Sequence, residues 1–308
     1  MTTDQRVTVD TLLRTAPYDP TASVAEQRAT FAERQTAPLP EDVTVVETTL
    51  GGRPALDLRV PAASARSVLL YLHGGGYVVG SARTGARLAV ALGRRVGVRA
   101  VALDYRLAPE NPFPAAVDDA LAAYRALLDG GARPDEILIA GDSAGGGLAV
   151  ATLLAAKAAG LPQPAAVAVF SPWVDLTLSG DSMRSKDGVD PLFTRARIGV
   201  YAERYAAADA RTAPLASPVF GDLTGLAPLL VQVGSHEVLL DDAVRLAGRA
   251  AAADVDVTLD VVAGVPHVFQ NFAGMLDDAD DALDRAGQFL DARLAADSRP
   301  SSPNGRSR

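Results

Sequence analysis

A serine hydroxyl is a weak nucleophile unless one neighbour removes its proton and others steady the negative charge it creates on a substrate. Ser143 stands where both can be arranged. It is the centre of Gly141-Asp142-Ser143-Ala144-Gly145, which follows the apolar run Ile137-Leu138-Ile139-Ala140 and precedes an Ala- and Gly-rich stretch with helical spacing. That is the strand, sharp turn and helix in which a G-x-S-x-G motif works as a nucleophile elbow. The turn strains the serine backbone and leaves no room for a Cβ two positions to either side, hence Gly141 and Gly145. The helix that begins there aims free N–H groups and the positive end of its dipole at the reaction centre, so the Ala144 amide is an expected oxyanion donor. A second cluster, His73-Gly74-Gly75-Gly76-Tyr77, follows an apolar run over 68–72. Its glycines let backbone amides approach a substrate carbonyl, and Gly75 and Gly76 are the expected further donors. A dinucleotide-binding loop is the alternative, but the spacing is not G-x-G-x-x-G.

Four segments together carry a more specific signal: the His73-Gly74-Gly75-Gly76 run, Tyr105-Arg106-Leu107-Ala108-Pro109-Glu110, Phe113-Pro114-Ala115-Ala116, and Gly141-Asp142-Ser143-Ala144-Gly145-Gly146. In combination they resemble the bacterial hormone-sensitive lipase family of esterases, over about 67–290. The resemblance implies an α/β-hydrolase fold with a sheet of about eight strands, a helical cap, and hydrolysis of short to medium acyl esters without metal or cofactor. In the order serine, acid, histidine, the base lies late, on a loop after the last strand. Of the three histidines, His267 in Gly264-Val265-Pro266-His267-Val268-Phe269 occupies the place the family gives its catalytic histidine. His73 belongs to the glycine loop and suits a structural role, and His236 reads as a solvated loop residue.

The acid leaves a choice. The family pattern is Asp-Pro-Leu-x-Asp, and the matching residues here are Glu237-Val238-Leu239-Leu240-Asp241. Glu237 is favoured over Asp241, because either acid can orient an imidazole, although the extra methylene of a glutamate must be absorbed by the loop. Asp241 and Asp242 then begin the following helix and cap its free amides. Asp190-Pro191-Leu192 imitates the family string but precedes the strand that should precede the acid, so it reads as a turn.

Around these residues, strands are expected over 43–49 and 55–60, joined by Gly51 and Gly52 as a hairpin, and then over 68–72, 99–103, 137–140, 167–170, 229–233 and 257–262. Helical spacing over 87–95, 115–128, 146–159 and 276–295 alternates with them, the signature of an α/β fold with a mostly parallel sheet and helices on both faces. Two short helices, over 8–13 and 24–35, precede the sheet. The expected organisation is therefore cap helices in 1–42, a catalytic domain in 43–174 and 226–297, an inserted cap in 175–225 with one helix over 194–205, and a disordered tail in 298–308.

The remaining expectations are coarser. Tyr77, Asp142, Trp173, Phe193 and Tyr205 are candidate pocket residues, though Tyr201 and Tyr205, at helical spacing, equally suit cap packing. A lactone presents the same carbonyl as a linear ester, so lactone hydrolysis is a rival. A non-catalytic small-molecule binding protein is a rival of another class, since plant gibberellin receptors resemble this family yet have lost the base; the presence of His267 argues for chemistry. The 308 residues suffice for one catalytic domain with an elaboration. A net charge of −8 disfavours nucleic acid and anionic membranes, and the absence of cysteine excludes disulfides, a thiol nucleophile and thiolate zinc sites. With no membrane span or secretory leader evident, a cytoplasmic protein acting on a small ester or lactone is expected. The last strand, over 257–262, reads as a sheet edge able to pair with its symmetry mate in a homodimer.

Overall fold

The computed structural model describes residues 2–15, 22–36, 38–61 and 63–294; the expected tail over 298–308 lies outside them. The described elements are α1 (Thr2–Thr15), α2 (Val24–Gln35), β1 (Thr44–Leu50), β2 (Arg53–Arg59), β3 (Ser64–Leu72), α3 (Ala82–Val96), β4 (Val98–Leu103) and α4 (Ala115–Asp129). They continue with β5 (Ile137–Asp142), α5 (Ala144–Ala158), β6 (Ala166–Phe170), α6 (Ser182–Ser185), α7 (Arg195–Tyr205), β7 (Leu229–His236), α8 (Leu240–Ala252), β8 (Val257–Pro266) and α9 (Asp277–Asp291). The strands form one eight-stranded sheet in the order β1-β2-β4-β3-β5-β6-β7-β8. β1 and β2 join antiparallel, and the six strands from β4 to β8 run parallel.

The sheet is buried on both faces, and its side chains alternate between two cores. Leu70, Leu72, Ile137, Ile139, Val167 and Val169 pack toward α4, α5 and α8. Their neighbours Leu69, Tyr71, Leu138, Ala140, Ala168 and Phe170 pack toward α3 and α9. Gly51 and Gly52 both have positive φ, 57° and 79°, the backbone of a tight two-residue hairpin between Leu50 and Arg53.

Several element ends differ from the sequence expectation. α3 begins at Ala82, because Ser81 accepts from the Thr84 amide while the Thr84 side chain accepts from the Ser81 amide. β3 begins at Ser64, with a register shift against β4 before Val68. β7 runs on to His236, so this half-buried histidine ends a strand and does not lie in a free loop. β8 closes one edge of the sheet with Leu259 and Val261 exposed. Between β6 and β7 the described chain makes no strand, only α6, α7 and short helical turns. Among the described residues no helix is long and apolar enough to cross a membrane.

Candidate active site

The six parallel strands end on the same side, where loops of an α/β sheet converge on a common crevice. At the end of β5 the chain turns through Ser143, whose φ of 54° and ψ of −121° are a backbone that L-residues rarely adopt. The turn is held by Ser143 N–H donating to Phe170 O at 2.8 Å and by Trp173 N–H donating to Ser143 O at 2.9 Å. A Cβ on Gly141 would lie 2.3 Å from Gly145 O, and one on Gly145 would lie 2.1 Å from Leu72 O and 2.4 Å from His73 O. The second glycine therefore lets the elbow press against the end of β3 and the glycine loop, not merely against the first glycine. Ala144 follows, fully buried at the first position of α5, where a backbone N–H has no intrahelical acceptor.

The glycine loop is fixed from below. Asp142 Oδ1 accepts from the Gly74 amide at 3.0 Å and from the Tyr71 hydroxyl at 2.8 Å. His73 stacks on Tyr105 at 4.2 Å, and the Tyr105 hydroxyl donates to His73 O at 2.6 Å. His73 Nδ1 lies 2.7 Å from Gly74 O, a carbonyl that can only accept, so Nδ1 carries the proton. Burial lowers the His73 pKa to about 4, which keeps the ring neutral as a piece of scaffold. Gly75 and Gly76 have φ of 119° and 60° and face the cavity. Burial raises the Asp142 pKa, against the opposing hydrogen bonds from Tyr71 and Gly74.

Across the cavity, His267 Nδ1 is 2.5 Å from Glu237 Oε2. The other carboxylate oxygen, Oε1, accepts from the Gly234 amide and from the Ser171 hydroxyl, each at 2.8 Å. Ser171 Oγ in turn accepts from the Val268 amide at 2.9 Å, so one buried hydroxyl joins the acid to the residue beside the histidine. Glu237 is fully buried and His267 is 6 % exposed. Burial alone would lower the His267 pKa, but the charge and hydrogen bond of Glu237, joined by Asp190 and Asp142, outweigh it and raise the pKa above 6.5. With Nδ1 engaged, Nε2 is the remaining ring nitrogen, in a cavity whose wall also includes Ser143.

That cavity has a volume of about 430 Å³. It is lined by His73 to Gly76, Asp142, Ser143 and His267, together with Trp173, Phe193, Ile198 and Tyr201. Leu12 and Leu13 of α1 and Phe31 of α2 also line it. The Phe193 ring meets the His267 ring edge-on at 5.1 Å. Tyr77 and Tyr205 are not in the wall. They stack on each other at 3.8 Å in the core, while Tyr201, one turn earlier on α7, reaches the cavity. Asp241 does not face His267; it accepts from the Ser182 amide at 2.9 Å. Nor does Asp242 cap its own helix: its Oδ2 accepts from the amides of Val174 and Asp175, each at 2.9 Å. Among the described residues no three His, Cys, Asp or Glu side chains gather at metal-binding spacing.

Sequence reading did not single out Ser171, Tyr71 or the cavity-facing residues of α1 and α2. Ser171 carried one signal, its position immediately after a parallel strand. Asp190, read from sequence as a turn, does accept from Leu192 and Phe193 amides, but it also accepts from Val238.

The profile of the α/β-hydrolase fold family matches residues 69–271. An acetyl-hydrolase of Streptomyces hygroscopicus is 47% identical over 230 residues, 75% of this chain and 77% of its own length. An esterase of Acinetobacter venetianus is 38% identical over 228 residues, 74% of this chain and 75% of its own. The crystal structure of an esterase from the bacterial hormone-sensitive lipase family superposes with a TM-score of 0.91 at 42% identity, over 95% of this chain and 99% of that one.

Proposed function

This chain belongs to the α/β-hydrolase family, among the bacterial hormone-sensitive lipase esterases, and is a carboxylic ester hydrolase; from that premise we propose that it works by serine acyl transfer on short to medium acyl esters. Ser143 Oγ attacks the ester carbonyl and His267 Nε2 takes its proton. Glu237 holds the imidazole with Nδ1 protonated and stabilises the imidazolium. The amides of Gly75, Gly76 and Ala144 receive the negative oxygen, each worth about a hundredfold or more in rate. The imidazolium then protonates the leaving alkoxide as the acyl-enzyme forms. Water repeats the sequence and releases the acid.

One observation carries this reading: a histidine whose Nδ1 is bonded to a fully buried carboxylate shares a cavity with a serine held at a strained elbow. The largely apolar side walls and a volume of about 430 Å³ support an acyl chain of modest length. The test is p-nitrophenyl acetate and butyrate turnover by the native chain and by Ser143→Ala. Release at the background rate by a variant with unchanged circular dichroism and melting is expected. A burst of p-nitrophenol from that variant would remove Ser143 from the mechanism.

A further inference from the structure

Asp190 lies between β6 and β7 and is only 5 % exposed. Its two oxygens do separate work. Oδ1 accepts from the amides of Leu192 at 2.7 Å and Phe193 at 2.9 Å, closing the turn that sets the Phe193 ring edge-on to His267. Oδ2 accepts from the amide of Val238 at 2.9 Å, across 48 residues of chain, and Val238 is the residue after Glu237.

A turn alone needs only the first of these contacts. A carboxylate taken out of water is costly unless its oxygens are bonded, and a neutral serine or asparagine would close the same turn at less cost. The charge therefore calls for cationic company, and the turn stands next to two groups that can supply it: Arg14, which donates to the turn's own carbonyls, and His267, whose ring meets Phe193 edge-on. His267 is faced by Glu237 from the loop after β7, by Asp142 from the end of β5, and by Asp190 from the inserted segment. Asp190 is faced by His267 and by Arg14 of α1, whose guanidinium donates to Gly188 O and Val189 O of the same turn.

We propose that Asp190 is a positioning residue for ester hydrolysis, tying the turn that carries Phe193 to the loop that carries Glu237 so that both are set against His267. The proposal rests on the reading of Ser143, Glu237 and His267 as the catalytic set. It makes the inserted segment part of the machinery that aligns the base, beyond a wall for the acyl chain. Because all three of its hydrogen bonds are accepted from N–H groups, the ionised carboxylate is the form that fits. That charge also favours the imidazolium, so its removal lowers the His267 pKa.

The experiment compares native protein, Asp190→Asn, Asp190→Ala and Ser143→Ala with p-nitrophenyl butyrate across pH, with active sites titrated by an organophosphonate. Asp190→Ala is expected to lower kcat per titrated site about 10- to 100-fold with KM within about threefold, the scale of a displaced catalytic group. Asp190→Asn keeps one acceptor oxygen and should lose less kcat. Its kcat/KM acid limb should move down by on the order of half a pH unit, because a negative charge beside the base is gone. Wild-type kcat per site, KM and acid limb in folded Asp190→Asn would overturn the proposal, even if melting fell; where Asp190→Ala does not fold, Asp190→Asn decides alone. Turnover by Ser143→Ala would overturn the catalytic set and this proposal with it. An inactive Ser143→Ala beside wild-type Asp190 variants would overturn only the role of Asp190.

Discussion

Replacing Glu237 by glutamine tests the proposed base more sharply than deleting it, because the surrounding donors dictate which way the amide must face. The Oε1 site receives the Gly234 amide and the Ser171 hydroxyl, each at 2.8 Å, and the backbone N–H can only donate. The glutamine carbonyl therefore belongs there, and its NH₂ is left facing His267 Nδ1. An imidazole nitrogen opposite an NH₂ must be the unprotonated one, which places the ring proton on Nε2, where Ser143 needs an acceptor. Flipping the amide to restore the tautomer sets NH₂ against the Gly234 N–H, an unmet buried donor costing about 1–3 kcal/mol, or roughly 5- to 150-fold in rate. Even when flipped, a neutral amide forgoes the charge-assisted bond to the imidazolium, another ~1.5–3 kcal/mol. Together these give a kcat lower by about 10²- to 10⁴-fold, with KM nearly unchanged, since neither effect touches the bound ester before attack. Steady-state turnover of p-nitrophenyl butyrate on folded variants measures it. The control is Asp241→Asn, whose carboxylate serves the Ser182 amide and should cost less than about threefold. A Glu237→Gln enzyme within tenfold of wild type, or an Asp241→Asn enzyme as impaired as Glu237→Gln, would refute the assignment.

Two further outcomes follow from the same geometry. Since the His267 pKa is raised by Glu237, Asp190 and Asp142 against burial, and the base must be neutral to act, kcat/KM should climb with pH through a midpoint above that of an ordinary histidine; His73, lowered to about 4, cannot supply that limb, and a midpoint below that of an ordinary histidine would contradict the assignment. Gly145→Ala drives a Cβ to 2.1 Å from Leu72 O, a backbone atom that cannot rotate away, so about 1–3 kcal/mol of stability and at least about tenfold in kcat should be lost; calorimetry and turnover would show it, and unchanged values would mean that the elbow and β3 have room to part.

What could be read in advance divides by distance along the chain. Ser143 and its two glycines declare themselves within five residues, because strand, strain and helix start are all local. The sheet was legible because buried parallel strands such as Ile137-Leu138-Ile139-Ala140 are short apolar runs whose side chains feed both cores. Long-range roles were not. Ser171 matters through Glu237, 66 residues away, and through Val268, 97 away, and neither partner marks the serine itself. Aromatic type misled at Tyr77 and Tyr205, which satisfy each other by stacking and leave the wall to Tyr201. Leu12, Leu13 and Phe31 fall in the two expected cap helices, and nothing in an apolar residue on such a helix says whether it covers protein or cavity.

The glutamate at 237 joins these two kinds of information. The match to the family string favoured Glu237 over Asp241 but left a mechanical question, since a glutamate has one more rotatable bond than an aspartate and must lose that freedom to aim an imidazole. The fold answers with donors from both sides of the strand ends: the Gly234 amide, three residues back, and the Ser171 hydroxyl, from the loop after β6, both bind Oε1. With one oxygen pinned twice, the other points at His267 Nδ1 with no torsion left to choose. Gly234 keeps its place against β8 only without a side chain, since a Cβ there would lie 2.2 Å from Val265 O. The longer acid is thus accommodated by a serine and a glycine that sequence order alone had no reason to connect, and the cost of losing either should appear at the histidine.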